Sequence, residues 1–329
     1  LWIALIPLCL IGLVTVADGL TELDFASLPA ETERGALLWH RVILWLWAPI
    51  HLTLIFGLAA LPEAAPHLSV AERWGLTFAF GGILGTVSIS FAHELIHQRN
   101  RAEKTLGTWL FITMLNGQHA TSHLAVHHRH VGTPKDPSTA PLGQGFWRFL
   151  PRLLWRARQG ALRVEAERLR ARGRSAWHIS NPCWRYAGGA LACLGLAWAL
   201  GGWAGLAQYA VAAAMATMLL ALADYIQHYG LTRRQREDGS WEPVGPQHSW
   251  NAAHRVSGWL MALAPRHSDH HMSGERPYPL LRAHRGATAP QLPLNFLLMT
   301  ALALSPTLWR RVMDRRVARW RARFYGGAT

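Results

Sequence analysis

Runs of about twenty apolar residues leave a chain few structural options, because in hydrocarbon only a helix or a closed barrel satisfies every backbone hydrogen bond. Such runs extend from Ala36 to Leu61, Trp74 to Ala92, Cys183 to Trp203 and Leu206 to Ala223. A fifth, Leu1 to Ala17, is short and begins without Met, so a further span is expected upstream of it. No basic segment or small-residue cleavage site marks it as a signal peptide. Leu106–Leu115 and Leu292–Leu304 are too short to span and are expected as buried, re-entrant or interfacial helices. The chain is therefore predicted to be all-α, an integral-membrane helical bundle forming a single domain over residues 1–329. Its mean hydropathy of only +0.08 averages apolar spans with very basic loops.

The basic residues supply the orientation. The formal net charge is +14, with Lys only at 104 and 135 and fifteen basic residues between Arg99 and Arg185. Charge beside apolar spans is what the positive-inside rule demands, so no nucleic-acid partner is needed to explain it. The Pro62–Val70 loop has no Lys or Arg, while the segments after His97 and after Tyr229 are rich in Arg. The latter two are thus assigned to the cytoplasmic face. The Asp18–Gly35 loop, with acids and Arg34 alone, argues neither way. Lys-poor, Ala/Arg/Gly-rich usage suggests a bacterial gene, hence the bacterial inner membrane. Cys9, Cys183 and Cys193 form no CxxC pair, which excludes an iron–sulfur site or zinc ribbon and means that electrons must come from elsewhere.

Histidines gather where the spans end. His93 and His97 are spaced i, i+4 at a helix end, which puts both rings on one face. His123 and His127 repeat that spacing, with His128 pointing elsewhere. His267 and His270 stand at i, i+3 with His271 adjacent, and His228 is a further candidate. Neutral imidazole ligates iron, copper or zinc, and eight or nine rings exceed the needs of one ion. Two metals are expected, with the second and third clusters bridging both. Glu94, Asp136, Asp224 and Asp269 stand close by in sequence, where carboxylates can accept the second N–H of a ligating ring. The isolated His40, His51, His67, His178 and His284 read as ordinary residues. HELIH alone also matches a zinc protease with Glu94 as general base, and a metal-binding receptor or transporter is a non-catalytic alternative.

HELIHQRN, HLAVHHRHVGTPKDPSTA, DYIQHYGL, QHSWNAAHRVS and RHSDHH, followed by RPYPLLR and APQLP, resemble the integral-membrane alkane monooxygenases. The likeness runs from about Ala17 to near Arg316. Fatty-acid desaturases and xylene-type hydroxylases share the histidine boxes but not the connecting motifs, so a desaturase is the nearest rival. The resemblance implies two non-haem irons near the cytoplasmic side, held by His93, His97, His123, His127, His128, His228, His267, His270 and His271. It also implies insertion of one oxygen atom from O2 into a terminal C–H bond of an alkyl chain drawn from the bilayer, giving a primary alcohol. Electrons would arrive from a rubredoxin or ferredoxin with its reductase, for which Arg99, Arg101, Arg129, Arg233 and Arg234 offer a basic surface. Leu115, Leu219, Leu222 and Ile226 line the alkyl path or simply pack. The implied first span is missing here, Leu1–Ala17 matching the second. Four positions depart from the family pattern: Gln98 replaces Lys, Ser122 replaces Glu, Val126 replaces Gly and Gln227 replaces Glu.

Overall fold

A computed structural model describes residues 6–33 and 35–325; the first five residues of the Leu1–Ala17 run, and Arg34, lie outside them. Among the described residues there are helices and no strands, only isolated bridges at Gln235–Trp241 and Asn251–Gln291. The helices are α1 (Ile6–Leu20), α2 (Leu38–Ala64), α3 (Val70–His97), α4 (Arg101–Thr113), α5 (residues 119–130), α6 (Phe146–Arg170), α7 (Pro182–His228), α8 (Arg255–Leu260), α9 (His267–Met272), α10 (Phe296–Ala303) and α11 (Pro306–Tyr325). Three of them, α2, α3 and α7, are long and apolar enough to cross a membrane. The chain folds into two compact units interleaved along the sequence. One holds Thr32–Ser122 and Gly160–Leu220 with the N-terminal part of α1; the other holds Val14–Glu31, His123–Gln159 and the described residues from Ala221 to Tyr325.

In the first unit, α3 opens with a reciprocal cap in which Ser69 and Glu72 satisfy each other's backbone N–H groups. It then runs through a π turn at Leu84–Ser88 into the last helical segment, Ile89–His97. The following α4 is capped by Asn100, whose side chain accepts from Ala102 N and Glu103 N. Gly107 lets α4 lie directly on that segment of α3: a Cβ there would stand 2.7 Å from both Ala92 O and Leu95 Cβ. Small residues permit such backbone approach between membrane helices. Gly107→Val should therefore force the two helices apart at the His93 turn, at a cost of about 2 kcal/mol. A lowered thermal midpoint and reduced metal content are expected; an unchanged melt and metal content would disprove the close approach.

The runs Cys183–Trp203 and Leu206–Ala223 form the two helical arms of α7, 47 residues in all, with non-helical backbone between them. A straight helix of that length would measure about 70 Å, twice the hydrocarbon thickness. It breaks instead at Gly201–Gly202, where Gly202 adopts φ +57°. At this break a Cβ on Gly201 would lie 2.0 Å from Ala59 O, so α2 and α7 touch backbone to backbone. Polar anchors sit inside the same unit: His51 Nε2 lies 2.7 Å from Thr113 Oγ1, and Tyr209 OH donates to Thr113 O. His51 is thus an ordinary buried residue, as its isolation suggested.

In the second unit, Asp18 Oδ1 accepts from Val256 N and Ser257 N at the start of α8. Arg266 is nearly buried and donates to Ala26 O and Leu281 O while pairing with Asp24. These bonds fix the loop that leads into α9, and α9 is the helix that carries HSDHH.

Candidate metal centre

The last turn of α3 presents His93 and His97, both buried, with ring centroids 4.8 Å apart. Glu94 between them is also buried, and Gln98 Nε2 donates to its Oε1 at 2.6 Å. The Gln98 departure thus replaces a cation with a neutral donor to Glu94.

In the second unit a π turn at His123–His127 reorders the second cluster. Sequence spacing pairs His123 with His127, but i→i+5 bonding widens the turn and brings His128 round instead. His128 Nε2 stands 3.0 Å from His123 Nε2 and 3.1 Å from His270 Nε2. His127 faces a different group: the ligand nitrogens of His127, His228, His267 and His271 all lie within 4.8 Å of one another. Successive Nε2 contacts there are 3.2 Å for His127–His271, 3.0 Å for His271–His267 and 2.9 Å for His267–His228. Short α9 divides its rings likewise, turning His267 and His271 to this group and His270 to His128.

Four buried rings aiming Nε2 at one another make a poor core, since two neutral lone pairs repel and two N–H groups clash. A cation at their focus removes the conflict. Metal–imidazole bonds of about 2.1 Å at right angles separate neighbouring nitrogens by about 3.0 Å, the spacing seen. Partners on the opposite nitrogen orient two of the rings. His127 Nδ1 lies 3.0 Å from both oxygens of Asp136, and His267 Nδ1 lies 3.3 Å from Ala264 O. Each therefore carries its proton on Nδ1 and leaves the Nε2 lone pair for a metal. Burial disfavours a charge on His127, yet Asp136 and Asp224 outweigh it and raise its pKa. Burial and the surrounding imidazoles hold His271 well below the ordinary value, in the neutral form that ligates.

The acids differ in what they hold. Asp136 accepts from His127, from Ser138 N at 3.0 Å and from Thr139 Oγ1 at 2.6 Å. Asp224 accepts from Ser138 Oγ at 2.9 Å, so Ser138 bridges the two carboxylates. Asp269 is placed differently from the sequence expectation: its described bonds run to Arg276, Arg282 N and His284 Nε2. It anchors α9 to the 276–284 segment, which gives RPYPLLR a role and His284 a specific one. Gln227 donates to Ala264 O at 3.3 Å, the carbonyl that also receives His267 Nδ1–H. A glutamate there would lack this donor.

Sequence reasoning missed Asn251. Its Nδ2 donates to Ser268 Oγ at 2.7 Å and Ser249 O at 2.8 Å, and its Oδ1 accepts from Ser268 N at 2.9 Å. Its backbone N–H donates to Pro290 O and its carbonyl accepts from Leu292 N. One buried side chain thus joins QHSWN and APQLP to the start of HSDHH, and the co-occurrence of these motifs was the available signal. Asn251→Ala should leave Ser268 without those partners, at a cost of about 1–3 kcal/mol, and lower metal retention several-fold. Asn251→Asp, which keeps the acceptor, should recover part of it. Equal metal retention in all three proteins would refute the clamp.

A profile of the fatty acid desaturase family matches residues 71–303 of the chain. Alkane 1-monooxygenase 2 of Pseudomonas aeruginosa is 33% identical over 321 residues, covering 96% of this chain and 84% of that protein. An alkane 1-monooxygenase of Pseudomonas putida is 30% identical over 315 residues, covering 94% and 76%. The xylene/toluene monooxygenase hydroxylase component of Pseudomonas putida is 30% identical over 253 residues, covering 75% and 64%.

Proposed function

Since the chain belongs to the alkane 1-monooxygenases within the fatty acid desaturase family, we propose that it hydroxylates the terminal carbon of an alkane at a centre of two iron ions. It is a membrane oxidoreductase that hydroxylates alkanes and uses O2, and its histidine clusters can bind metal. The ligands we assign are His93, His97, His123, His127, His128, His228, His267, His270 and His271, with His127, His228, His267 and His271 converging on one ion. The convergence of four buried Nε2 atoms carries this reading most directly. A zinc protease would use three residues of HELIH and leave that convergence unexplained.

When bound, iron would supply the redox-active centre at which one atom of O2 goes to the C–H bond and the other, with two electrons and two protons, to water. The protein's residues hold the ligands in the right protonation state. Asp136 keeps the His127 proton on Nδ1, Ala264 O does so for His267, and Gln98 orients Glu94. Leu222 and Ile226 are fully buried, and Leu219 lies where a Cβ on Gly85 would touch it, so packing explains Leu219 at least. We place the protein in the bacterial inner membrane with the site on the cytoplasmic side, where Arg-rich segments belong. A rubredoxin or ferredoxin with its reductase supplies the electrons, because the cysteines of the chain are scattered. Arg233 donates to Glu242 O and Arg129 O, and Arg234 lies over the Tyr325 ring; Arg99, Arg101, Arg129, Arg233 and Arg234 are the charges we propose for docking.

The test is expression in membranes with rubredoxin and reductase, metal analysis, and mass spectrometry of products from alkanes and fatty acyl chains. Two irons per chain and a primary alcohol are expected. Zinc at one per chain, or an alkene product, would overturn the proposal.

A further inference from the structure

α6 carries an apolar face that the protein does not cover. Phe146, Phe149 and Leu153 are buried, whereas Trp147, Leu154 and Leu162 recur every seven or eight residues on the exposed side, beside Trp155, which is 63% exposed. Arg148, Arg156, Arg158 and Arg163 are exposed among them. Residues 146–174 hold nine arginines against two glutamates, and one of those, Glu165, is buried and paired with Arg168. Arg172, Arg174, Trp177 and Ile179 continue the same exposed mixture up to Pro182, where the membrane-spanning α7 begins.

From this pattern we infer that α6 and the loop after it form a docking surface for the anionic phospholipid headgroups of the membrane the protein spans. The chemistry of each component fits that occupant. Exposed Trp and Leu on a basic amphipathic helix enter the headgroup–acyl boundary, and Trp favours that depth. Arg presents a planar fork of donors that binds phosphodiester oxygens in pairs. The eleven residues between α6 and α7 reach at most about 36 Å, so the helix is leashed to a membrane span. An acidic protein would account for the arginines but leave the row of Trp and Leu in water. Clustered arginines beside a membrane span give preference for anionic lipid, at roughly severalfold per charge at low salt.

The full chain, with Cys9, Cys183 and Cys193 changed to Ala and Trp155→Cys carrying an environment-sensitive fluorophore, can be placed in nanodiscs of phosphatidylcholine alone or with one third phosphatidylglycerol. Quenching by brominated lipid should rise at least about twofold with phosphatidylglycerol and fall back in high salt. In parallel, unlabelled wild-type chain extracted from mixed bilayers should retain phosphatidylglycerol enriched at least about threefold over bulk. The triple change R148Q/R158Q/R163Q should remove that enrichment while iron content stays at the wild-type level. Equal quenching in both discs, or equal lipid ratios for wild type and triple variant, overturns the inference. So does a label shielded only when an acidic electron-transfer protein is added.

Discussion

On the proposed assignment of two irons, His270→Ala is expected to end hydroxylation and to strip iron from one of the two sites. The His270 ring meets His128 Nε2 at 3.1 Å, and His128 meets His123 at 3.0 Å, so its removal breaks a chain of three donors. Loss of a direct ligand should cost on the order of a thousandfold or more in turnover, beyond the roughly 10- to 100-fold expected when only an outer partner is lost. His127→Ala should do the same to the other set, because His127 is the link between the four-ring group and Asp136. Two controls separate ligation from folding. His51→Ala removes a buried histidine bonded to Thr113 and should lower stability without lowering iron. His284→Ala removes one partner of Asp269 and should leave partial activity. Iron per chain by plasma mass spectrometry and product by gas chromatography decide the matter. Full activity with iron retained in His270→Ala would sink the ligand assignment.

The membrane helices were legible because length and apolarity alone decide whether a segment can span. The break at Gly201–Gly202 was legible to within a few residues, as the gap between the runs Cys183–Trp203 and Leu206–Ala223; its geometry, with Gly202 at φ +57°, was not. Candidate ligands were legible from spacing; their sorting into groups was not. An i, i+4 pattern assumes a regular α-helix, and the π turn at His123–His127 exchanges His127 for His128 as the partner of His123. Such a turn depends on packing around it, which no local spacing records. Asp136 was chosen as a carboxylate beside clustered histidines, and its oxygens lie 3.0 Å from His127 Nδ1. Asp269 shows the limit of that reasoning: an acid beside three histidines in sequence bonds instead to Arg276 and His284 on a later segment. Asn251 marks the same limit from the other side, its role arising only when three distant motifs meet.

Asp136→Asn tests whether a carboxylate, and not merely a hydrogen-bond acceptor, is needed behind His127. Asp136 is 1% exposed and takes donors from His127, Ser138 and Thr139. Asparagine offers one acceptor oxygen and a pair of N–H donors. If the oxygen stays on His127, the imidazole keeps its tautomer but loses the charge that raises its basicity, and either Ser138 N or Thr139 Oγ1 loses its acceptor. If the amide nitrogen turns to His127, the ring proton moves to Nε2 and the lone pair that would hold metal is gone. Both routes weaken the same set of four histidines, so iron affinity and turnover should each fall about 10- to 100-fold. Ser138→Ala gives the comparison: it spares the Asp136–His127 contact and breaks the Ser138 Oγ bond to Asp224, so its loss of iron should be the smaller. Titrating iron into stripped protein and following product formation at saturating iron separates affinity from turnover. Wild-type values of both in Asp136→Asn would show that a neutral hydrogen-bond acceptor suffices behind His127.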